Sequence, residues 1–523
     1  MWRGRILMLL FLFFGLSGCQ SLPYNGERQI TTKLSDVTDT QLYQGVESLL
    51  GQRDAQISGF YPLASGVNAF VARLKVVETA EKSIDLQYYI WHRDKTGKIL
   101  AASLLDAADR GVRVRLLLDD MGSPLGDKSL LMLDRHPNVD VRLYNPVSSR
   151  GRSMWSMLAE FSRINRRMHN KSLTVDNSIG IVGGRNIGNE YFEAHQDVAF
   201  ADLDLAVIGP VVDQVSDGFD LYWNHDSSYP ISRLTSTALT DSELKEARQQ
   251  VHQFLKEIRG DEYVSRLLNS DLVNKGVEEW YWGQADVLYD HPDKSHESGT
   301  DTSRYLHTQL SSVFSEVGSS LVLVSPYFVP GDTGVEYLSA LAERGVEISI
   351  ITNSLAATDV GAVHSGYAKY RKALLKAGVS LYEVRPYTEK IPNAENKDKN
   401  GREKNRRYIG SSSKASLHAK AFFIDGKYTF VGSMNLDPRS IHINTEIGIM
   451  LDAAEFTTWA REQILASLQK IAYKVSLDQD GDLRWTSYNE SGVEPVFDSE
   501  PKVSTWRRFG VWLMGLFPIE SQL

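Results

Sequence analysis

The sequence predicts an α/β protein in which one structural unit occurs twice along the chain. Strand-like residues 83–90 and 112–118 flank the amphipathic residues 99–110, an alternation typical of an α/β domain. Residues 97–120 are similar to residues 334–354, so the same pattern of helix and strand occurs again. Both copies also end in the same spaced set of polar residues. Length alone, at 523 residues, would instead suggest about three or four domains.

The repeat sets the domain boundaries that we predict. The two copies occupy residues 55–230 and 301–470. Within the second copy, residues 389–414 carry many Lys and Arg, for which a solvated surface insertion is the simplest interpretation. The other predicted segments are a signal segment at 1–18, a linker at 19–54, a helical connection at 231–300 and a C-terminal extension at 471–523.

Composition excludes several classes of protein. With 42% hydrophobic residues, 10 Trp, 23 Tyr and 19 Phe, the chain has ample material for a core and is not disordered as a whole. A single cysteine excludes a disulfide framework and Cys-rich metal sites, and no clustered metal-ligand pattern appears. We therefore expect no metal and no cofactor. A net charge of −9 argues against a protein that coats nucleic acid, so no nucleic-acid partner is expected.

The single cysteine, Cys19, follows a short apolar segment at the N-terminus. Residues 6–16 are apolar and come after Arg3 and Arg5. As a helix this segment would rise only about 16 Å, too short for a bilayer span and suited to the apolar core of a signal peptide. A buried free thiol is the simplest alternative. Residues 16–19 (LSGC) resemble the lipobox of bacterial lipoproteins, in which the cysteine is lipidated and becomes the first residue.

The lipobox resemblance implies a location in the bacterial cell envelope. A cleaved secretory signal and an uncleaved anchor are the alternatives to lipidation. Loss of Arg3 and Arg5 would change the net charge from −9 to −11. In the lipoprotein pattern an Asp after the cysteine retains the protein at the inner membrane, whereas this chain has Gln20. We therefore expect a lipid-anchored protein on the periplasm-facing outer membrane, with the inner membrane as the alternative.

Each copy ends in one signature measured from a histidine. A Lys follows at +2, an Asp at +7, a Gly at +14, a Gly or Ser at +15 and an Asn at +17. One such match is weak, whereas agreement at every position in a second copy is specific. The first set is His169, Lys171, Asp176, Gly183, Gly184 and Asn186, and the second is His418, Lys420, Asp425, Gly432, Ser433 and Asn435.

The spacing predicts how these residues are arranged locally. Residues 169–175 and 418–424 are strand-like, and residues two apart on a strand share a face, so each His lies beside its Lys. The turns that start at Asp176 and Asp425 favour hairpins, and these two acids are predicted to tie the turns rather than to react. Small residues at +14 and +15 let the Asn of each copy approach the same cleft.

The duplicated pattern HxKxxxxDxxxxxxG(G/S)xN resembles that of the phospholipase D superfamily, over about residues 55–470. Residues 163–186, 202–212 and 352–360, with the C-terminal Trp-Arg-Arg and Pro-Ile-Glu, are similar to bacterial cardiolipin synthases, the type C group in particular. The resemblance implies two tandem α/β/α sandwich units with pseudo-two-fold symmetry that form one shared active site. One chain supplies both copies, so a monomer suffices for the site. The apparent lipobox departs from the best-known members.

Phosphodiester chemistry explains why two His and two Lys are needed. The substrate is an anion that repels nucleophiles, so catalysis requires positive charge on its oxygens and a nucleophile in line with the leaving group. The resemblance implies that His169 attacks to form a phosphohistidine and that His418 is the general acid and base. The symmetry of the motif leaves the opposite assignment open. The residues expected to hold the nonbridging oxygens are Lys171, Lys420, Asn186 and Asn435.

The two lysines would lower the pKa of both imidazoles, so an acidic partner is needed. Glu446, on the strand-like residues 444–451, matches the acidic position of the family. In the first copy Asp202 or Asp204 is the candidate, because both fall on one face of a predicted strand. Asp202 is preferred because it lies seven residues before Gly209, as in family members.

The function predicted from these residues is membrane-associated phosphatidyl transfer that makes cardiolipin through a phosphatidyl-histidine. Phosphatidylglycerol or phosphatidylethanolamine would be the donor and phosphatidylglycerol the acceptor. The alternatives are a hydrolase of the phospholipase D or phosphodiesterase type, a nuclease, which the acidity and the lipid anchor disfavour, and a non-catalytic lipid-binding lipoprotein.

Two further segments suggest contact with a membrane surface. Residues 505–520 are short, apolar and Trp-rich, and we predict an interfacial helix with Trp506 and Trp512 at headgroup level. A helix packed on the protein's own core is the alternative. Arginines before the first motif are expected to attract anionic headgroups, namely Arg150, Arg152, Arg163, Arg166 and Arg167.

Overall fold

The computed structural model describes residues 22–151, 154–195, 199–277, 279–296, 301–386, 415–488, 495–517 and 520–523. Three features of the sequence lie outside these residues. They are the predicted signal segment with Cys19, Arg152 and the charged insertion at 389–414.

Strands and helices alternate along both halves, as the sequence predicts. In the first half and the connection they are α1 Gln41–Leu50, β1 Ile57–Leu63, α2 Gly66–Thr79, β2 Ser83–Tyr88, α3 Lys95–Asp109, β3 Arg113–Asp119, α4 Asp127–Asp134, β4 Val139–Tyr144, α5 Met154–Ala159, α6 Phe161–Ile164, β5 Ser172–Val175, β6 Ile179–Gly183, β7 Ala199–Ala201, β8 Asp204–Ile208, α7 Pro210–Trp223, β9 Ser228–Pro230, α8 Ile231–Leu234, α9 Asp241–Glu257, α10 Glu262–Leu268, α11 Asp271–Lys275 and β10 Tyr281–Tyr289. In the second half they are α12 Leu306–Ser315, β11 Ser320–Val324, α13 Gly331–Glu343, β12 Glu347–Asn353, α14 Gly361–Ala368, α15 Arg371–Lys376, β13 Ser380–Val384, β14 Ala415–Leu417, β15 Ala421–Ile424, β16 Tyr428–Gly432, α16 Pro438–His442, β17 Ile447–Asp452, α17 Ala454–Ile471, β18 Ala472–Leu477, β19 Leu483–Ser487, β20 Val496–Phe497 and α18 Thr505–Met514.

The main sheet repeats one strand order on either side of a central antiparallel pair, β1 and β10. Outward from β1 the strands are β8, β6, β5, β2, β3, β4 and β9. Outward from β10 they are β17, β16, β15, β11, β12, β13 and β18, followed by β19 and β20 at the edge. The parallel pairs β2–β3–β4 and β11–β12–β13 correspond. The predicted α/β fold with two similar units is therefore confirmed.

Most of the apolar core in the described residues belongs to three large clusters of side chains, and a smaller fourth surrounds Tyr144 and Trp223. One lies within the first half and includes Phe70 and Leu116, and a second lies within the second half and includes Ile350. The third combines side chains of both halves, among them Val211 of α7 and Phe456 of α17. Because this third cluster is continuous, the two halves share a core as well as a sheet.

Several segments outside the two predicted copies also belong to the folded body. Strand β10 lies inside the region predicted as a helical connection and forms the centre of the sheet. In the predicted linker, the Asn25 amide donates to Ser228 O at 2.9 Å. Strands β18, β19 and β20 extend the sheet of the second half into the predicted C-terminal extension. No helix in the described part of the chain combines the length and hydrophobicity of a bilayer-spanning segment.

The two histidine segments lie before the strands rather than on them. Strand β5 begins only at Ser172 and β15 only at Ala421, which differs from the predicted strands at 169–175 and 418–424. The reason is that the backbone of each histidine pairs with the other half of the chain. His169 N donates to Thr445 O and His418 N donates to Ala201 O, both at 2.8 Å. These backbone bonds place both motifs where the two halves of the chain meet.

Tight hairpin turns follow both motifs, as predicted, and their acids are structural. Asp176 and Asp425 have positive φ values of 48° and 53°, which a short polar side chain tolerates. The Asp176 carboxylate accepts the backbone N–H groups of residues 81–83 at 2.7–2.9 Å. Asp425 accepts those of residues 318–320 at 2.8–2.9 Å. Each acid thus fixes the start of the neighbouring strand.

Replacing Asp176 by Ala is expected to destabilise the protein by about 2–4 kcal/mol, because it leaves three backbone donors without their acceptor. Thermal unfolding of the purified protein measures the effect. Asp140→Ala, which removes an exposed carboxylate from β4, is the control and should change the midpoint little. A midpoint for Asp176→Ala as high as that of the control would contradict the structural role.

Candidate active site

The histidine of the first motif is oriented by a carboxylate of the second half. His169 Nδ1 lies 2.8 Å from Glu446 Oε2. Glu446 is fully buried and also accepts the hydroxyl groups of Ser433 at 2.5 Å and Ser440 at 2.8 Å. The three contacts hold the carboxylate in place. Only 9% of His169 is exposed, so the ring lies in a site from which water is largely excluded.

The histidine of the second motif is oriented by a carboxylate of the first half. His418 Nδ1 lies 2.6 Å from Asp202 Oδ2. The two histidine–carboxylate pairs therefore cross between the halves. Because a carboxylate oxygen accepts a hydrogen bond from an N–H group, each ring is assigned its proton on Nδ1. Nε2 is then the ring nitrogen available for chemistry in both motifs.

Both lysines of the motifs lie beside their histidines and are almost completely buried. Lys171 Nζ donates to His169 O at 2.5 Å, and it also lies 5.5 Å from the ring centroid of Tyr89. Lys420 Nζ donates to His418 O and lies 2.9 Å from Nδ1 of the same ring. Two cations are thus held against the imidazoles, as the spacing predicts.

The two asparagines at +17 are placed in equivalent positions but differ in their partners. Asn186 Oδ1 accepts the backbone N–H of Ile90 at 3.1 Å, and its amide donates to the Tyr191 hydroxyl at 3.0 Å. Asn435 is also buried, yet its Oδ1 has no hydrogen-bond partner among the described residues. The second asparagine therefore keeps an unused polar atom in the buried site.

The residue at +15 differs between the motifs for a steric reason. A Cβ atom on Gly184 would overlap the carboxylate of Asp202, so only glycine fits beside that acid. At the equivalent position Ser433 keeps its side chain, which donates to Glu446. Gly184 in the first half thus leaves room for Asp202, whereas Ser433 in the second half donates a hydrogen bond to Glu446.

Replacing Gly184 by Ala is expected to displace Asp202 from His418 and to lower kcat by about 100-fold or more, since an orienting carboxylate is lost. Steady-state kinetics with phospholipid substrate measures the loss, and circular dichroism checks the fold. Ser433→Ala at the equivalent position is the matched control. It keeps the Cβ and removes the hydroxyl that donates to Glu446 and accepts the N–H of Ile447, while Glu446 keeps its bond to Ser440, so about a tenfold loss or less is expected. Equal losses in the two variants would contradict the steric argument.

Burial and the two lysines set the protonation of the histidines. Burial, and then the charge of Lys171, lowers the pKa of His169 well below its usual value. Burial and the charge of Lys420 also lower the pKa of His418, while Asp202 acts in the opposite direction. Burial lowers the pKa of Lys420 to about 8 and that of Lys171 well below its ordinary value.

The two carboxylates have opposite proton affinities. Burial raises the pKa of Glu446 to about 7. Burial acts in the same direction on Asp202, but the charge and hydrogen bond of His418 outweigh it and bring the pKa below its usual range. Asp202 is therefore an anion that favours a charged His418, whereas Glu446 holds its negative charge less strongly and favours a charged His169 less.

Of the two candidate acids in the first half, the structure brings only Asp202 to a histidine. Asp204 is fully buried and pairs with Arg73 at 2.9 Å and with Arg185 at 3.4 Å. It therefore balances two arginines in the core of the first half. Asp202 itself precedes β8 rather than lying on it.

Sequence reasoning missed a matched pair of residues that position the two motifs. Asp119, at the end of β3, accepts the backbone N–H of Met168 at 3.0 Å. Asn353, at the end of β12, accepts that of Leu417 at 3.0 Å. Each therefore holds the residue before a motif histidine. The signal that would have found them is their equivalent place at the end of the second strand of the repeated segment.

The described arginines before the first motif have most of their bonding partners within the protein. Arg150 pairs with Asp120 at 2.8 Å, and Arg167 with Asp119 at 3.2 Å. Arg163 forms an ion pair with Glu160, and Arg166 donates to Lys294 O at 3.1 Å. These cations support the fold around the site rather than forming an open positive surface.

One group in the described residues has side chains that match metal ligands. His92, Asp94 and Glu190 bring their ligand atoms within 4.8 Å of one another. The Asp94 carboxylate accepts the backbone N–H groups of Gly97 at 3.1 Å and Asn189 at 2.7 Å, so it already caps α3. None of these three residues belongs to the paired motifs.

The comparisons with known proteins agree with the geometry. Residues 74–223 and 310–467 match the family described as cardiolipin synthase, PLD-like domain. The chain is 38% identical to cardiolipin synthase C of Escherichia coli K12 over 483 residues, covering 92% of this chain and 99% of that protein. The chain belongs to the cardiolipin synthase family of the phospholipase D superfamily. The family predicted from the duplicated motif is confirmed.

Other relatives extend the family comparison. An uncharacterized protein of Helicobacter pylori is 31% identical over 474 residues, covering 87% of this chain and 88% of its own. The crystal structure of a phosphatidylserine synthase from Haemophilus influenzae matches with a TM-score of 0.53 at 15% identity, over 83% of this chain and 91% of that one. At that identity the likeness concerns the fold alone. As a cardiolipin synthase family member, the chain is a phosphatidyltransferase-type enzyme.

Proposed function

We propose that this enzyme makes cardiolipin by moving a phosphatidyl group onto the glycerol headgroup of phosphatidylglycerol. Either phosphatidylglycerol or phosphatidylethanolamine serves as the donor. The observation that carries the proposal is the crossed arrangement of two histidine–carboxylate pairs with two buried lysines. Such a site supplies a nucleophile, a proton donor and positive charge to one phosphodiester.

In the first step, Nε2 of His169 attacks the phosphorus of the donor. The bond from phosphorus to the headgroup oxygen breaks, and protonated His418 gives its proton to that oxygen. The headgroup alcohol, glycerol or ethanolamine, leaves. In the second step His418 removes the proton from the acceptor hydroxyl, whose oxygen attacks phosphorus and breaks the bond to His169. The acids support this assignment, because Asp202 favours a charged His418.

The lysines and asparagines stabilise the charge on the nonbridging oxygens. Lys171 and Lys420 are the buried cations nearest the histidines, and in a site of low dielectric constant their charge acts strongly on the phosphate. Because Oδ1 of Asn435 has no hydrogen-bond partner among the described residues, that atom does not fix the orientation of the side-chain amide. Its NH₂ group is suited to a phosphate oxygen.

The dependence of kcat/KM on pH is expected to be bell-shaped, with its maximum between about pH 7 and 8. Below the pKa of Glu446, about 7, its carboxylate becomes protonated and supports His169 less. Above the pKa of Lys420, about 8, the site loses a positive charge. Glu446→Gln should lose the acidic limb of the profile. A flat wild-type profile between pH 6 and 9 would contradict this account.

Lipid extracts from cells that express the protein test the reaction. Cardiolipin should accumulate with the wild-type protein and not with His169→Ala or His418→Ala. Purified protein with phosphatidylglycerol should release glycerol in equal amount to cardiolipin. Phosphatidic acid forming without cardiolipin would overturn the proposal in favour of hydrolysis.

We also propose that the enzyme acts at the surface of an envelope membrane. Helix α18 packs through Val511 on α14 and leaves Trp506 83% and Trp512 60% exposed, which supports an interfacial role over a buried one. Leu516 and Phe517 extend the exposed apolar surface. Lipidation of Cys19 would tether the chain at the periplasmic face of the outer membrane.

The tether and the helix are tested separately. In cells, Cys19→Ser should fail to incorporate radiolabelled palmitate, and continued incorporation would refute the tether. With purified protein lacking residues 1–21, Trp506→Ser with Trp512→Ser should weaken flotation with phosphatidylglycerol liposomes. Trp459→Ser, which changes an exposed tryptophan of α17, is the control. Unchanged flotation of the double variant would refute the role of α18.

A further inference from the structure

A large apolar groove lies in the first half, outside the paired motifs. Its volume is about 410 Å³, within the range of roughly 300–1,000 Å³ that small-molecule sites occupy. Helices α3 and α4 form its floor and α9 covers it. Its floor includes Ala101 and Leu105 of α3 and Leu130 and Leu133 of α4.

Helix α9 spans this groove without filling it. Leu244, Ala247, Val251 and Phe254 fall on one face of α9 and line the groove, yet no residue of α9 is fully buried. The helix is well formed in its own right, because Thr240 makes a complete capping box at its start. An apolar face that remains half-covered by its own protein is suited to an apolar ligand.

One end of the groove lies beside the candidate active site. Trp91 and His92 line it there. The residue before them, Ile90, donates its backbone N–H to Asn186 Oδ1 at 3.1 Å, and His92 N donates to Ile187 O at 2.8 Å. The lining residue His92 is thus bonded to the residue that follows Asn186, and the residue next to Trp91 is bonded to Asn186 itself. From this end the groove follows α3 away from the site.

The charge around the groove selects for an anionic ligand. No Asp or Glu is among its lining residues, although the chain as a whole carries a net charge of −9. Four cations line the groove, namely Arg93, Lys98, Arg135 and Arg248, and the two nearest to His92 in the chain, Arg93 and Lys98, are both exposed. Apolar walls with cations and no acids among the lining residues complement a hydrocarbon chain attached to a phosphate.

We propose that this groove binds an acyl chain of the phospholipid whose phosphate reacts at the histidines. The inference rests on the proposed function, and it adds that one chain leaves the bilayer during the reaction. Because the groove adjoins the segment of Asn186, one lipid can place an acyl chain in the groove while its phosphate lies at the histidines. The groove then makes catalysis depend on acyl-chain length.

Filling the groove tests the proposal. Ala247→Trp on α9 and Ala101→Trp on α3 place a large side chain inside it from opposite walls. Each is expected to lower kcat/KM for dioleoyl phosphatidylglycerol by at least about tenfold, because buried methylene contacts are lost. Each should change kcat/KM for dihexanoyl phosphatidylglycerol less than about twofold. Gln249→Trp, on an exposed position of α9 that does not line the groove, is the matched control.

A binding measurement separates failure of this inference from failure of the proposed reaction. In a His169→Ala background, the full chain should retain radiolabelled dioleoyl phosphatidylglycerol, and Ala247→Trp should reduce retention at least about fivefold relative to Gln249→Trp. Equal retention, or equal kinetic losses with long and short chains, would overturn the groove as an acyl site. If the lipid is retained as expected but the wild-type protein transfers no phosphatidyl group, the groove stands as an acyl site and the proposed function is overturned.

Discussion

Replacing His169 by Ala is expected to lower kcat for phosphatidyl transfer by about 10⁴-fold or more, because removal of a nucleophile eliminates the covalent route. The variant should also form no phosphatidyl adduct when a donor with an activated leaving group, phosphatidyl-p-nitrophenol, is supplied. Mass spectrometry of the acid-sensitive phosphohistidine peptide measures the adduct. The wild-type protein should carry it on the peptide that contains His169.

The equivalent change at His418 is expected to behave differently. His418→Ala should lower kcat with natural phospholipids by a similar factor, since the leaving alcohol then lacks a proton donor. With the activated donor, which needs no proton, the adduct on His169 should still form and then persist. An adduct found on His418 in the His169→Ala protein would reverse the assignment of the two histidines.

Replacing Glu446 by Gln is expected to impair the first step, although Glu446 lies in the same half as His418. Its carboxylate contacts His169 at 2.8 Å, 277 residues away in the chain. The amide cannot hold the imidazole in the same proton arrangement, and we expect a loss of about 10²–10⁴-fold in kcat. Adduct formation with the activated donor should slow by a similar factor.

Asp202→Asn is the matched variant in the other histidine–carboxylate pair. It should leave adduct formation with the activated donor nearly intact and slow the transfer to phosphatidylglycerol, because Asp202 serves His418. In double variants, Glu446→Gln should add little to His169→Ala, and Asp202→Asn little to His418→Ala. If each acid variant instead affected the step of the histidine in its own half, the crossed arrangement would be wrong.

The repeated motif was enough to predict the family, the local hairpins and the candidate residues of the site. The predictions for Asp176 and Asp425 rested on turn chemistry that is local in the chain. The crossing could not be predicted in the same way. A pattern that occurs twice is equally consistent with each acid serving its own half or the other one. The backbone bonds of His169 to Thr445 and of His418 to Ala201 decide this, and they depend on the packing of the two halves.

Other parts of the fold escaped prediction for related reasons. Strand β10 follows a charged, helical stretch, so its neighbours in sequence gave no sign that it forms the centre of the sheet. Its pairing with β1 joins residues more than two hundred positions apart, Ile57 with Gln284 among them. Asp119 and Asn353 were missed because they differ in residue type while making the same kind of bond.

The crossing has a consequence for how the two histidines can differ. In an arrangement of two identical units, each histidine would meet the carboxylate of the other unit, and the two histidines would be equivalent. Two copies within one chain need not be identical. Once Gly184 with Asp202 and Ser433 with Glu446 are encoded separately, each can be selected independently. One chain that carries both copies can therefore have two different histidine–carboxylate pairs, as the separate roles in the proposed mechanism require.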